Sequence, residues 1–244
     1  MAIASSRVML WYSATPMSTH ANLAHTAKAV FAKDLRIEAR SREVTVTAAL
    51  FGLLVALVAA AAFGGATTSP AVAAAGTLWT SQLFAAVFAF ARFWHREREN
   101  RAWTTTKLLA GDPLGIFAAK AGALFAMLVP VGLLGVCVTA LFLHVPVDGA
   151  LGLATLLLML AFVGFAALGT LFGLLTVETK ARDLLLAVVL LPLLAPMTLG
   201  AMATTRDVLL HTPRELWIGG FALVAVFDAI ALALGGTLFR LVAR

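Results

Sequence analysis

Residues 44–91 form a run of 48 positions without one Asp, Glu, Lys or Arg. About 20 apolar residues at ~1.5 Å each cross the ~30 Å hydrocarbon core of a bilayer. The run is too long for one crossing and fits two. Gly64 and Gly65, followed by Pro70, supply the break between them. The same reading, carried along the chain, predicts spans over about 44–64, 71–93, 114–143, 150–177, 184–202 and 216–241. Lys120 stands near the start of the third, where a Lys can snorkel to the headgroups. Residues 203–215 read as a loop. Pro192 and Pro196 fall inside the fifth span. Each removes a backbone donor, which predicts a bend there. That bend would be either a hinge or static.

Before the first span, residues 24–43 alternate apolar and charged positions at helical spacing. Ala27, Val30, Phe31 and Leu35 interleave with Lys28, Lys33, Asp34, Arg36, Glu38, Arg40 and Arg42. This predicts an amphipathic helix lying in the membrane interface. Asp34 and Arg36, two apart, cannot face each other, so each needs another partner, whereas Arg36 and Arg40 share a face. Residues 1–22 read as a disordered extension, because positions 8–12 are too short for a signal-peptide core. Residues 23–244 read as one membrane domain.

Composition agrees. Apolar residues make up 61% of the chain and charged residues only 12%, about half of what a soluble domain carries. The net charge of +6 would suggest nucleic acid in a soluble protein. Here the basic residues flank apolar spans, so orientation explains them better, and no nucleic acid is expected. With the N-terminus in the cytoplasm, 16 of the 18 Lys and Arg fall on the cytoplasmic side. Only Arg206 and Arg214 fall outside. The positive-inside rule therefore places both termini in the cytoplasm. The single cysteine, Cys137, sits in a span and excludes an intramolecular disulfide; it reads as a small buried apolar residue.

Candidate chemistry is sparse. Asp228 is the one acid deep inside a span, and an intramembrane ionisable residue is costly enough to be either a functional group or a packing group that faces another helix. His144 and His211 fall in predicted outer turns and are candidate haem contacts, although a lone surface histidine is more often only a polar surface residue. Gly164, Gly169 and Gly173 place small residues on one face of the fourth span, for close packing within the chain. A membrane enzyme would need catalytic groups clustered at one depth, and the sequence offers none. There is no G-x-x-x-x-G-K-[ST] loop to cradle ATP phosphates.

Four segments resemble the cytochrome c maturation protein B family, the haem exporter B permeases of ABC type. Phe31, Asp34, Leu35 and Arg36 are similar to the family's F-x-x-D-L-R element. Gly76 to Trp79 leads through the second span to Arg92 and the run Arg96, Glu97, Arg98, Glu99 and Asn100. Leu108, Leu109, Pro113, Ile116, Phe117 and Lys120 are similar to the family's L-L-x-P-x-x-x-x-x-I-Y-x-x-K run, with Phe117 where Tyr is common and the proline shifted. Pro192 and Pro196 match its proline-punctuated fifth helix. Trp103 to Thr106 replaces a Gly-containing stretch.

The resemblance implies an all-α, ABC-2-like permease of six transmembrane helices in the bacterial inner membrane, preceded by a cytoplasmic interfacial helix. ATP would be hydrolysed by a separate cytoplasmic ABC ATPase. Haem would be the cargo of the complex, with no cofactor assigned to this chain. Other cytochrome c maturation membrane subunits and a periplasmic haem chaperone would be partners, besides the lipid bilayer. Residues 92–100 would form a short mixed-charge coupling helix. Phe31, Asp34, Arg36 and Arg40 would brace the ATPase contact with Arg96, Glu97, Arg98 and Glu99. The chain would either pass haem or transmit ATP energy to release a loaded chaperone, and the lack of a traceable polar path favours the second. The alternative is a generic ABC-2 export permease for a lipid, drug or polysaccharide.

Overall fold

The computed structural model describes residues 23–64, 69–99, 113–178 and 188–242, and all regular structure among them is helical. Seven helices are described: α1 Leu23–Ser41, α2 Glu43–Gly64, α3 Pro70–Glu99, α4 Pro113–Phe142, α5 Gly149–Glu178, α6 Leu190–Leu209 and α7 Arg214–Val242. The extension expected over residues 1–22 lies outside the described residues. Five helices, α2, α3, α4, α5 and α7, are long and apolar enough to cross a membrane. The chain is therefore an all-α integral membrane protein.

Two boundaries differ from expectation. Helix α3 runs on past residue 93 to Glu99, because nothing between Arg92 and Glu99 breaks a helix. The charged run expected as a separate short helix is the end of α3 itself. Helix α6 runs on to Leu209, where the sequence predicts a loop, while the predicted start of this span at 184 lies outside the described residues. The charges that suggested a loop neutralise each other: Arg206 Nη2 lies 2.7 Å from Asp207 Oδ1. Pro192 is the third residue of α6 as described, and Pro196 lies in its interior.

Helix ends follow from local chemistry. Pro70 and Pro113 open α3 and α4 at the position where a missing N–H costs least. Asp148 caps α5, its Oδ1 accepting from the backbone N–H of Ala150 at 2.9 Å and of Leu151 at 3.1 Å. At the ends of α4 and α6 the chain turns left-handed at His144 and His211, each with φ of 54°. There Val145 N–H bonds Ala140 C=O at 3.0 Å and Thr212 N–H bonds Asp207 C=O at 3.1 Å. Both are Schellman closures, with histidine where glycine is commonest.

Helices α3, α4 and α5 form the centre, with α1 packed against α4, α2 against α3 and α4, α6 against α3 and α5, and α7 against α4, α5 and α6. The core holds Trp79, Phe90, Phe93, Trp94, Phe162 and Phe165. Val46, Leu50, Leu54 and Val58 of α2 are exposed at four-residue spacing, the stripe a lipid-facing helix presents. Cys137, expected to be buried, is exposed on the flank of α4 near Leu133 and Leu134.

Lipid is as apolar as leucine, so helix association rests on close packing and interhelical hydrogen bonds. Trp79 Nε1 donates to Thr205 Oγ1 at 2.8 Å, joining α3 to α6 where both residues are fully buried. Gly169 and Gly173 receive Phe90 and Trp94: a Cβ on Gly173 would stand 1.9 Å from the Trp94 indole nitrogen. Gly164 does not share their face. It meets Asp228 of α7 instead, since five residues turn a helix well away from its starting side.

Candidate functional site

Helix α1 turns Phe31, Asp34, Leu35 and Glu38 to one side, the i, i+3, i+4, i+7 positions of a single face. That face packs on α4, with the Phe31 ring 3.4 Å from where a Cβ on Gly122 would stand. The two acids are therefore inside: Asp34 is 1% exposed and Glu38 6%. The expected division, apolar side in and all charge out, does not hold. Arg36 and Arg40 do lie exposed on the opposite side.

The Asp34 carboxylate meets the Lys120 ammonium of α4, Oδ2 to Nζ, at 2.8 Å. Its other oxygen lies 3.2 Å from Lys33 Nζ. Lys120 has a side chain with no exposed surface, and its ammonium stands 5.1 Å from the centroid of the Phe93 ring. A cation over an aromatic face is attracted by the ring quadrupole, more strongly when desolvated. Lys120 thus does not snorkel. It lies about two turns inside α4, covered by α1, with Asp34 as its counter-charge. Asp34, for which the resemblance implies a place at an ATPase contact, makes this internal pair.

One turn further along α1, Glu38 Oε1 accepts the backbone N–H of Thr45 at 2.8 Å. Thr45 lies in the first turn of α2, where backbone donors lack intrahelical partners and the helix dipole favours an anion. Arg42, at φ 52°, makes the corner between α1 and α2. Glu43 at the start of α2 then pairs with Arg92 of α3, both partly exposed. Arg92 adjoins Phe93 and leads into the last turns of α3, whose backbone carries Arg96, Glu97, Arg98 and Glu99. One end of the bundle is thus tied through Asp34–Lys120, Glu38–Thr45 and Glu43–Arg92, with the exposed arginines of α1 and the charged end of α3 beside it.

At the other end, His211 Nε2 lies 3.1 Å from Asp148 Oδ2, joining the turn after α6 to the turn before α5. His144 sits in the same turn as Asp148, held by its role in closing α4. Asp228 is buried at 4% exposure, and neither carboxylate oxygen has a hydrogen-bond partner among the described side chains. Its Oδ1 is directed at the Gly164 backbone. An apolar cleft of about 260 Å³ opens one turn away, lined by Phe117, Gly122, Phe125, Val163, Ala166 and Leu232 among others, and Asp228 does not line it.

Sequence reasoning missed Lys120, Glu38 and Phe93 as parts of one arrangement. A signal for Lys120 was present: a lone cation inside an otherwise uncharged apolar helix must pair with something.

A search of curated proteins finds no match to the chain. The family model described as CcmB protein matches residues 25–239, a stretch that takes in Asp34, Lys120 and nearly every described residue. The chain therefore belongs to the CcmB protein family, the haem-exporter permeases of cytochrome c biogenesis.

Proposed function

We propose that this chain is the permease subunit of an ABC-type haem-export or haem-release complex, coupling ATP hydrolysis in a separate cytoplasmic subunit to haem delivery or chaperone release on the far side. The family match over residues 25–239 carries this reading. In it α6 is the sixth span, extended by the apolar residues that precede it, and both termini are cytoplasmic, a placement that the asymmetry of Lys and Arg supports. Leu190, Leu194, Met197 and Ala201 of α6 are buried against its neighbours, which supports α6 as a member of the bundle.

The end of the bundle holding Asp34 and Lys120 is then the cytoplasmic end. Arg36 and Arg40 on α1 and residues 96–99 at the end of α3 face the ATPase. Mixed charge of this kind sets docking register more than raw affinity. His144 and His211 lie on the periplasmic side as candidate haem contacts, and Pro196 marks the position in α6 where the helix can bend. Other maturation subunits and a periplasmic haem chaperone complete the complex.

The test is deletion of the gene and restoration by the wild-type chain, read by haem staining of c-type cytochromes. Their loss and recovery are expected, and intact c-type cytochromes in the deletion would sink the reading. Charge reversal at Glu97 and Glu99 is expected to lose co-purification of the ATPase from a chain that still inserts in the membrane.

A further inference from the structure

We infer that Asp34 and Lys120 are positioning residues for energy coupling: the pair makes α1 and α4 move as one body when the ATPase acts on α1. This rests on the proposed ATPase contact at the same end of the bundle. The first argument is cost. Both side chains are buried, at 2% and 0% exposure, and desolvating two charges offsets much of their mutual attraction. Apolar residues of similar volume would hold α1 to α4 as well or better. What charge adds is register. If α1 slides or tilts while α4 stays, the Asp34 carboxylate and the Lys120 ammonium are drawn apart where little water screens them, and the electrostatic cost grows with the separation. An apolar contact would slip without that penalty.

The second argument is position. The pair meets three elements at one point, with Asp34 on α1, Lys120 on α4 and the Phe93 ring of α3 beneath the ammonium. Phe93 follows Arg92, whose guanidinium holds the start of α2 through Glu43. Glu38, on the same face of α1 as Asp34, holds the first turn of α2 through Thr45. Movement of α1 therefore reaches α4 through this charge pair, beside the packing of Phe31 on Gly122, and α2 through the Glu38 cap. Helix α4 in turn contacts α2, α3, α5 and α7, so a displacement delivered to Lys120 spreads through most of the bundle. The exposed Arg36 and Arg40 lie on the other side of α1, where a partner can push without touching the pair.

The experiment uses the complex in cells. Asp34→Leu/Lys120→Met replaces the pair by apolar side chains. The variant is compared with wild type for membrane abundance, ATPase co-purification and c-type cytochrome content. Normal abundance and normal co-purification with an about tenfold loss of cytochromes are expected, a split that a mere staple would not produce. Full cytochrome content in this variant would overturn the inference. Should it fail to accumulate, Asp34→Asn/Lys120→Gln, which keeps polar contact without charge, takes its place under the same criteria. Failure of both to accumulate would show a purely structural pair and overturn the inference as well. If cytochromes do not depend on the chain at all, the proposed function fails instead, a result the gene deletion reports separately.

Discussion

His211 and Asp148 meet at 3.1 Å, linking two turns at the end of the bundle opposite Lys120. The Asp148 carboxyl is held below its ordinary value of 3.8, chiefly by the backbone N–H of Leu151, with His211 and the Ala150 N–H adding to it against desolvation. A carboxylate lowered in the folded state contributes stability above its unfolded value, and the contribution is lost as pH falls through the folded value. The melting temperature in detergent should therefore carry an Asp148 contribution at neutral pH that disappears below pH 3.8. Asp148→Ala should flatten that dependence. His211→Ala should remove less of it, because the backbone bond leads. Equal effects from the two variants would show that the histidine, not the cap, governs the turn.

Trp79 and Thr205 offer a cleaner measure of one interhelical bond. Both are fully buried and joined at 2.8 Å. Thr205→Val leaves an indole N–H without a partner inside the bundle, at a cost of about 1–3 kcal/mol. A double-mutant cycle with Trp79→Phe should give a coupling of about 0.5–1.5 kcal/mol, in the range of intramembrane hydrogen bonds. Additive single variants would mean that the bond contributes nothing net.

Helix packing at Gly173 should be intolerant of one added methyl. A Cβ there would stand 1.9 Å from Trp94 Nε1, and Trp94 is fully buried, so its ring has nowhere to go. Gly173→Ala should destabilise by about 1–3 kcal/mol, the range of overpacked cores. Gly152 of the same helix has nothing within 4 Å of its Cβ position. Gly152→Ala should stabilise by about 0.5–1 kcal/mol through backbone entropy. Thermal unfolding of the pair checks both signs, and a harmless Gly173→Ala would refute the packing argument.

What could be read from the sequence divides along one line. Spans were legible because the bilayer imposes a local rule, an unbroken apolar run of fixed length, and α2, α4, α5 and α7 begin and end within a residue or two of expectation. Interactions across the bundle were not. Lys120 reads as a snorkelling residue until α1 is known to cover it, and Asp34 reads as a surface acid until Lys120 is found beneath it. Helix α3 shows where the local rule stops: charge marks the end of an apolar run but not of a helix, and charged residues from Arg92 to Glu99 extend one readily. The glycines of α5 show its limit. Spacing placed Gly164 with Gly169, yet each faces a different helix.

Asp228 and Gly164 give the last test. A Cβ on Gly164 would lie 2.2 Å from Asp228 Oδ1 and 3.3 Å from Phe227 Cδ1, so Gly164→Ala must displace the carboxyl. A destabilisation of about 1–3 kcal/mol is expected. The carboxyl itself is buried without a hydrogen-bond partner among the described side chains. Asp228→Ala removes a desolvation penalty together with the carboxyl's approach to the Gly164 backbone, two opposing effects, so its stability should stay within about 1 kcal/mol of wild type, and the double variant should recover part of what Gly164→Ala loses. Unfolding in detergent and c-type cytochrome content are then read on the same variants. A stable Asp228→Ala that supports full cytochrome content makes Asp228 a packing residue whose space Gly164 provides. A stable variant without cytochromes gives the carboxyl a role in the transport cycle, and that outcome would refute the packing assignment.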